Sequence, residues 1–255
     1  MRRSVHALAA AALLGAVSLI PSAGRAEDTA LPEAHWSFQG IFGIYDHAAA
    51  RRGFQVYKEV CSACHSMNLL HYRNLEAIGF TDEEAKAIAA SFLIPGEPDD
   101  NGEVHDRPAR LSDAFKMPFA NPQAARAANN GALPPDLSVI TKARKGGASY
   151  VHALLTGYSD APADFKLQDG MNYNQYFPGH QIAMPQPLQD SSVTYADGTK
   201  ATVDQEATDV ATFLNWAAEP ELEERHFTGV KTILFLIVLT ALLYALKRKV
   251  WADVH

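Results

Sequence analysis

The run Cys61-Ser62-Ala63-Cys64-His65 constrains this chain more than any other stretch of it. Two thiols three positions apart, followed directly by an imidazole, form the C-x-x-C-H signature of covalent haem attachment. On one turn of backbone each thiol can form a thioether to a haem vinyl group, and the next residue places a ring nitrogen beneath the iron. Cys61 and Cys64 are the only cysteines in the 255 residues, so a chain that spends both on one haem c has no internal disulfide. A tetrathiolate or Cys2His2 zinc site cannot be assembled from this cluster without distant histidines. A thioredoxin-like pair would need a βαβ context and would give His65 no role.

The termini frame the motif. Residues 1–26 read as a secretory leader, with a basic Met1-Arg2-Arg3 start, an apolar core over 7–20 and a small-x-small cleavage site at Gly24-Arg25-Ala26. The mature chain is then expected to begin at Glu27. Export suits the haem, because covalent attachment takes place outside the bacterial cytoplasm. At the other end, 230–246 is apolar apart from Lys231. Its length at ~1.5 Å per residue is about 26 Å, slightly short of a ~30 Å hydrocarbon core. Lys231 can snorkel, and Tyr244 and Trp251 can sit at the interface, so 227–249 is expected to cross the inner membrane once. Lys247, Arg248 and Lys249 should keep 250–255 cytoplasmic and leave 27–226 as a periplasmic domain. Charge divides along the same lines. Residues 27–226 hold 15 Lys and Arg against 28 Asp and Glu, a net of -13 in a chain whose total is -7. Such a field disfavours nucleic acid and favours a basic soluble partner.

Between the termini the pattern is mainly helical. Phe54, Tyr57, Val60, Cys61 and Cys64 recur at helical spacing, so 51–64 is expected to be a helix carrying the motif at its C-terminal end. The aromatic, glycine-rich stretch 36–45 has no helical period. Thr81 caps a helix through Phe92, with acids in its first turn. Residues 95–103 read as an acidic surface loop, and 124–131 as a short helix closed by Asn130-Gly131. Pro134-Pro135 holds an extended backbone. Asp136 or Ser138 then caps a helix running to Gly146-Gly147, and 150–155 forms another. His71 reads as solvated. Residues 160–190 should be irregular, with Asp197-Gly198 turning a small hairpin between 193–195 and 199–202. Asp204 caps a helix through Trp216 that crosses the one bearing the motif. The expected fold class is mostly α: a cytochrome c-like haem domain with long irregular insertions and a small β-hairpin, plus one C-terminal transmembrane helix.

Opposite His65 an iron needs a second axial ligand. Met67 lies two residues from His65 and cannot reach the far face. Met117 and Met184 both precede proline, and spacing alone does not choose between them; Met184, in an apolar loop, is the leading candidate, with His180 and His152 the foremost histidine alternatives. Methionine sulfur would raise the haem potential relative to two histidines.

Several longer stretches resemble the cytochrome c1 family, the haem subunits of the cytochrome bc1 complex. They are Val60-Cys61-Ser62-Ala63-Cys64-His65-Ser66-Met67, the run from Ala125 through Asn129, Asn130, Gly131, Pro134 and Pro135 to Ser138, Tyr176-Phe177-Pro178-Gly179, Ile182-Ala183-Met184-Pro185, and Phe213-Leu214-Asn215-Trp216-Ala217-Ala218-Glu219-Pro220. The resemblance implies His65 as proximal and Met184 as distal iron ligand, with Cys61 and Cys64 holding one haem c. Asn129, Arg144 and Tyr150 match positions facing the haem propionates, and Pro135 one packed on the porphyrin. It further implies one-electron transfer from a Rieske iron–sulfur protein to a soluble c-type cytochrome, cytochrome b as membrane neighbour, and a dimeric complex. Some bacterial members carry an extra disulfide after the position of Gly157-Tyr158. This chain has Ser159 there and no spare cysteine, so something else must hold the Met184 loop.

Two other classes compete with this reading. A haem peroxidase or gas sensor would need an iron position open to ligand, which a bound Met184 closes. A free-standing anchored carrier would serve an oxidase directly, without cytochrome b or a Rieske protein. The 118 residues between His65 and Met184 favour a subunit with partner-facing surface over a minimal carrier. No acid/base pair is expected, and the chain is not expected to be an enzyme on its own.

Overall fold

The computed structural model describes residues 29–253. The leader expected over 1–26 and the start at Glu27 lie outside the described residues.

Two crossing helices form the centre. Helix α1, His47–Glu59, begins four residues earlier than its apolar period suggested, because Asp46 caps it by accepting from the Ala49 amide. It also stops short of the motif. Cys61–Ala63 is a 3-10 turn in which the Cys64 and His65 amides both return to the Cys61 carbonyl, a tighter winding than the continuous helix expected over 51–64. The crossing partner is the long helix Val203–Ala218, capped by Thr202 rather than Asp204. The two axes meet at Gly53, where an added Cβ would stand 2.0 Å from the Asp209 carbonyl oxygen. Beside that contact Arg52 grips the fully buried Asp209 with two hydrogen bonds of 2.9 Å. Phe54, Tyr57, Phe115 and Phe213 pack around the crossing with centroids 5.7–6.0 Å apart.

Smaller elements surround this pair. Helix α2, Asp82–Ala90, has the reciprocal capping box of Thr81 and Glu84, and Arg51 of α1 reaches across to Glu84. The stretch expected to be a surface loop is instead a hairpin: β1, Leu93–Pro98, pairs antiparallel with β2, Val104–Pro108, through a bulge between Pro95 and Pro98. Asp99 closes its turn by accepting from the amides of Asn101 and Glu103. Helix α3, Pro122–Ala128, follows with Asn121 as cap. No helix forms over 139–146. That segment makes successive turns, with the Ala143 amide returning to Val139, before helix α4, Gly147–Thr156, begins at the left-handed Gly146. Residues 160–190 are irregular except for the two-residue strands β3, Asn172–Tyr173, and β4, Gln181–Ile182. The turn at Asp197-Gly198 is present, yet the strands expected beside it are not. Their backbone groups are claimed from elsewhere: the Val193 amide donates to Glu206 and the Thr194 carbonyl accepts from Gln55. The 203–218 helix is α5 in this order.

Helix α6, Leu222–Val250, is 29 residues long, and its most apolar stretch has a mean hydropathy of 2.2 with none of it buried. It is long and apolar enough to cross a membrane. Its head is tied to the body, since Glu223 accepts from the Tyr45 amide and the His226 ring meets the Gly43 carbonyl.

Candidate haem-binding site

His65 leaves the 3-10 turn with its Nδ1 2.8 Å from the Pro135 carbonyl oxygen. A carbonyl only accepts, so the bond requires the proton on Nδ1 and leaves the Nε2 lone pair available to a metal. Burial lowers the His65 pKa, against the opposing pull of the Pro135 carbonyl and Asp136, which favours the neutral ring that ligation requires. The Cys61 thiol is pushed up to about 12 by burial and the neighbouring Cys64. Cys61 is half-buried, Cys64 is exposed, and both are free.

Asp136 joins the 65–68 and 134–138 segments, alongside the Leu137 amide bonded to the Ser66 carbonyl at 2.9 Å. Its carboxylate accepts from Ser66 Oγ and the Asn68 amide at 2.8 Å and from the Ser138 amide at 2.9 Å. Burial alone would raise this group; the hydrogen bonds from Ser138, Asn68 and Ser66 overcome it and hold the carboxyl below its usual range. The expected role of Asp136 as a helix cap is thus replaced by a long-range clasp that aims the Pro135 carbonyl at His65.

A second group of residues gathers at Met184. Its carbonyl accepts from Tyr158 Oη at 3.1 Å and Asn172 Nδ2 at 3.3 Å. Burial raises the Tyr158 phenol, with Tyr150 the next contributor. Burial likewise raises Tyr150, while Arg144 pulls it down. Arg144 itself is exposed and donates to the Ala143 carbonyl at 3.1 Å. Asn129 is half-buried and donates to the Ala125 carbonyl at 2.7 Å, closing α3.

The competing histidines are hydrogen-bonded elsewhere. His152 meets Asp204 at 2.9 Å, and His180 meets the Gln175 carbonyl and stacks on Tyr173. Met67 is fully buried in the core, Met117 is exposed, and Met171 lines an open groove of about 450 Å³ behind the Met184 loop. Met184 is half-buried.

These residues fit a c-type haem. Two unpaired thiols share one turn, an imidazole presents an unclaimed Nε2, and Leu133 and Val139, flanking Pro134-Pro135, are 42% and 43% exposed. Apolar side chains left open on the segment whose Pro135 carbonyl locks the imidazole are what a flat apolar group would cover. Asp136, Tyr158 and Asn172 were not identifiable from sequence. Only the Asp after Pro-Pro carried a hint, as a capping residue.

The profile described as the Cytochrome C1 family matches residues 36–254. Among curated proteins, the chain is 48% identical to "Cytochrome c1" of Rhodospirillum rubrum over 94% of this chain and 95% of that one. It is 51% identical to "Cytochrome c1 1, heme protein, mitochondrial" of Arabidopsis thaliana over 94% and 80%. It is 48% identical to "Cytochrome b-c1 complex catalytic subunit, mitochondrial" of Candida albicans over 98% and 88%. With a family match across most of its length and near-full-length relatives at this identity, the chain belongs to the cytochrome c1 family.

Proposed function

We propose that this chain is the haem-bearing electron-transfer subunit of a bc1-type quinol–cytochrome c oxidoreductase, passing single electrons from a Rieske protein to a soluble c-type cytochrome. The observation that carries the reading is the His65 imidazole, locked in one tautomer by Pro135 directly beside two free thiols. The printed name of the Candida relative supports membership of such a complex. When bound, a c-type haem carries one electron at a time on an iron whose potential its axial ligands set. The chain's own residues supply the rest. Cys61 and Cys64 tether the group, His65 and Met184 ligate its iron, Pro135 packs on the ring, and Asn129, Arg144 and Tyr150 face its propionates. The three aims of such a site are fixed ligands, exclusion of water and one accessible edge; none calls for a proton-transfer pair. In the same reading 227–249 anchors the chain in the inner membrane, with 27–226 periplasmic, 250–255 cytoplasmic, cytochrome b as neighbour and the complex dimeric.

Met184→Leu tests the ligand set. A reduced-minus-oxidised spectrum with a redox titration should show the variant losing on the order of several hundred millivolts and gaining carbon monoxide binding. A variant that keeps the wild-type potential and stays closed to carbon monoxide would remove Met184 from the site.

A further inference from the structure

The loop at 40–44 points to a second contact with the membrane. From Trp36 to Ile44 the sequence carries no charged residue, and the structure sorts its side chains sharply. Trp36, Phe38 and Tyr45 are buried, whereas Ile41, Phe42 and Ile44 are 69%, 76% and 61% exposed. Three large apolar side chains held open to water on five residues are costly unless something covers them.

The loop cannot fold them away. The Gly43 amide bonds the Gly40 carbonyl and the Ile44 amide bonds Ser37. Gly40 has φ +78°, and a Cβ on Gly43 would lie 2.2 Å from the Phe38 carbonyl oxygen. Its height is fixed as well. The Gly43 carbonyl meets His226 at 3.2 Å and the Tyr45 amide donates to Glu223 at 2.7 Å, both in the head of α6. From His226 to Val230, where the apolar run begins, is about 6 Å along the helix axis. That matches the depth of the headgroup layer, about 5–8 Å on each side of the hydrocarbon. A rigid uncharged tip at that level is placed as apolar faces of interfacial elements are, at the boundary of headgroups and acyl chains.

We propose that Ile41, Phe42 and Ile44 insert into the bilayer interface beside α6, so that the domain stands on the membrane at two points. This rests on α6 crossing the membrane. The two points together would restrain the tilt of the body about the helix.

The test is photo-crosslinking of the full chain in nanodiscs of phosphatidylethanolamine and phosphatidylglycerol, with p-benzoylphenylalanine at Phe42, at Val238 in mid-α6 or at Asn101 on the distant hairpin. Lipid adducts at positions 42 and 238, with none at 101, are expected. A lipid adduct at 238 with none at 42 would place the loop in water and overturn the proposal while leaving the anchor intact. Crosslinking of position 42 to protein alone would also overturn it. Loss of lipid adducts at 238 would instead remove the anchor on which the inference stands.

Discussion

At His65 and at Met184 a backbone carbonyl decides how a side chain can be used. The Pro135 oxygen fixes the proton of the imidazole, and the Met184 oxygen is itself held by Tyr158 and Asn172. One donor, Tyr158, precedes the 160–190 excursion and the other, Asn172, lies within it. Two hydrogen bonds at about 1 kcal/mol each contribute about 2 kcal/mol toward the closed loop, a factor of about thirty in its open population. Tyr158→Phe alone should raise carbon monoxide binding slightly, and Tyr158→Phe with Asn172→Ala more strongly, together with a lowered reduction potential. If the double variant stays as closed to carbon monoxide as the wild type, the loop is held by something other than this clasp.

Among the elements, those whose signals are local were legible in the sequence. Thr81 and Glu84 announce α2, and the apolar periods of α1 and α5 mark both helices and their crossing. Boundaries moved where a cap outside the apolar period took over, as Asp46 and Thr202 do. The β1–β2 hairpin was hidden by Pro95, Pro98 and Pro108. In a two-stranded sheet both strands are edges, so a missing amide is tolerated. The reverse failure occurred at 193–202, where a good turn lacks strands because Glu206 and Gln55 compete for their backbone groups. Within the site, the contiguous Cys61-Cys64-His65 motif needs no partner to be read. Asp136, Tyr158 and Asn172 act across separations of 12 to 70 residues and leave no periodic trace. Gly53 belongs to this second class, since its necessity lies in the approach of α5. Gly53→Ala forces a methyl group onto the Asp209 carbonyl and against the Phe213 Cβ, and should cost about 3 kcal/mol or more as the helices part. Urea unfolding of the haem-loaded chain would measure it; an unchanged midpoint would mean that the crossing yields freely.

For the molecule as a whole, an acidic body stands on a helix whose last turn is basic. At ~1.5 Å per residue α6 is about 43 Å long, so roughly 13 Å extends past a ~30 Å hydrocarbon core. Part of that excess is the head bound to the 43–45 segment, which ties the start of α6 to the body. Under the proposed topology the net of -13 over 27–226 faces one aqueous compartment. Exposed acids such as Asp99, Asp100 and Glu103 on the β1–β2 turn contribute to that field. Its reach is set by salt, about 30 Å at 10 mM and about 8 Å at physiological strength. A basic soluble c-type cytochrome should therefore be drawn in from beyond contact distance at low salt and only at close range otherwise. The bimolecular rate of electron transfer to such a partner, followed by stopped-flow absorbance, should fall at least about tenfold as ionic strength rises from about 10 to about 200 mM. The sign follows from attraction between opposite charges: screening removes acceleration that a neutral encounter never had. A rate that is flat or rises with salt would show that the acidic body does not steer this partner, and its charge would then serve solubility alone.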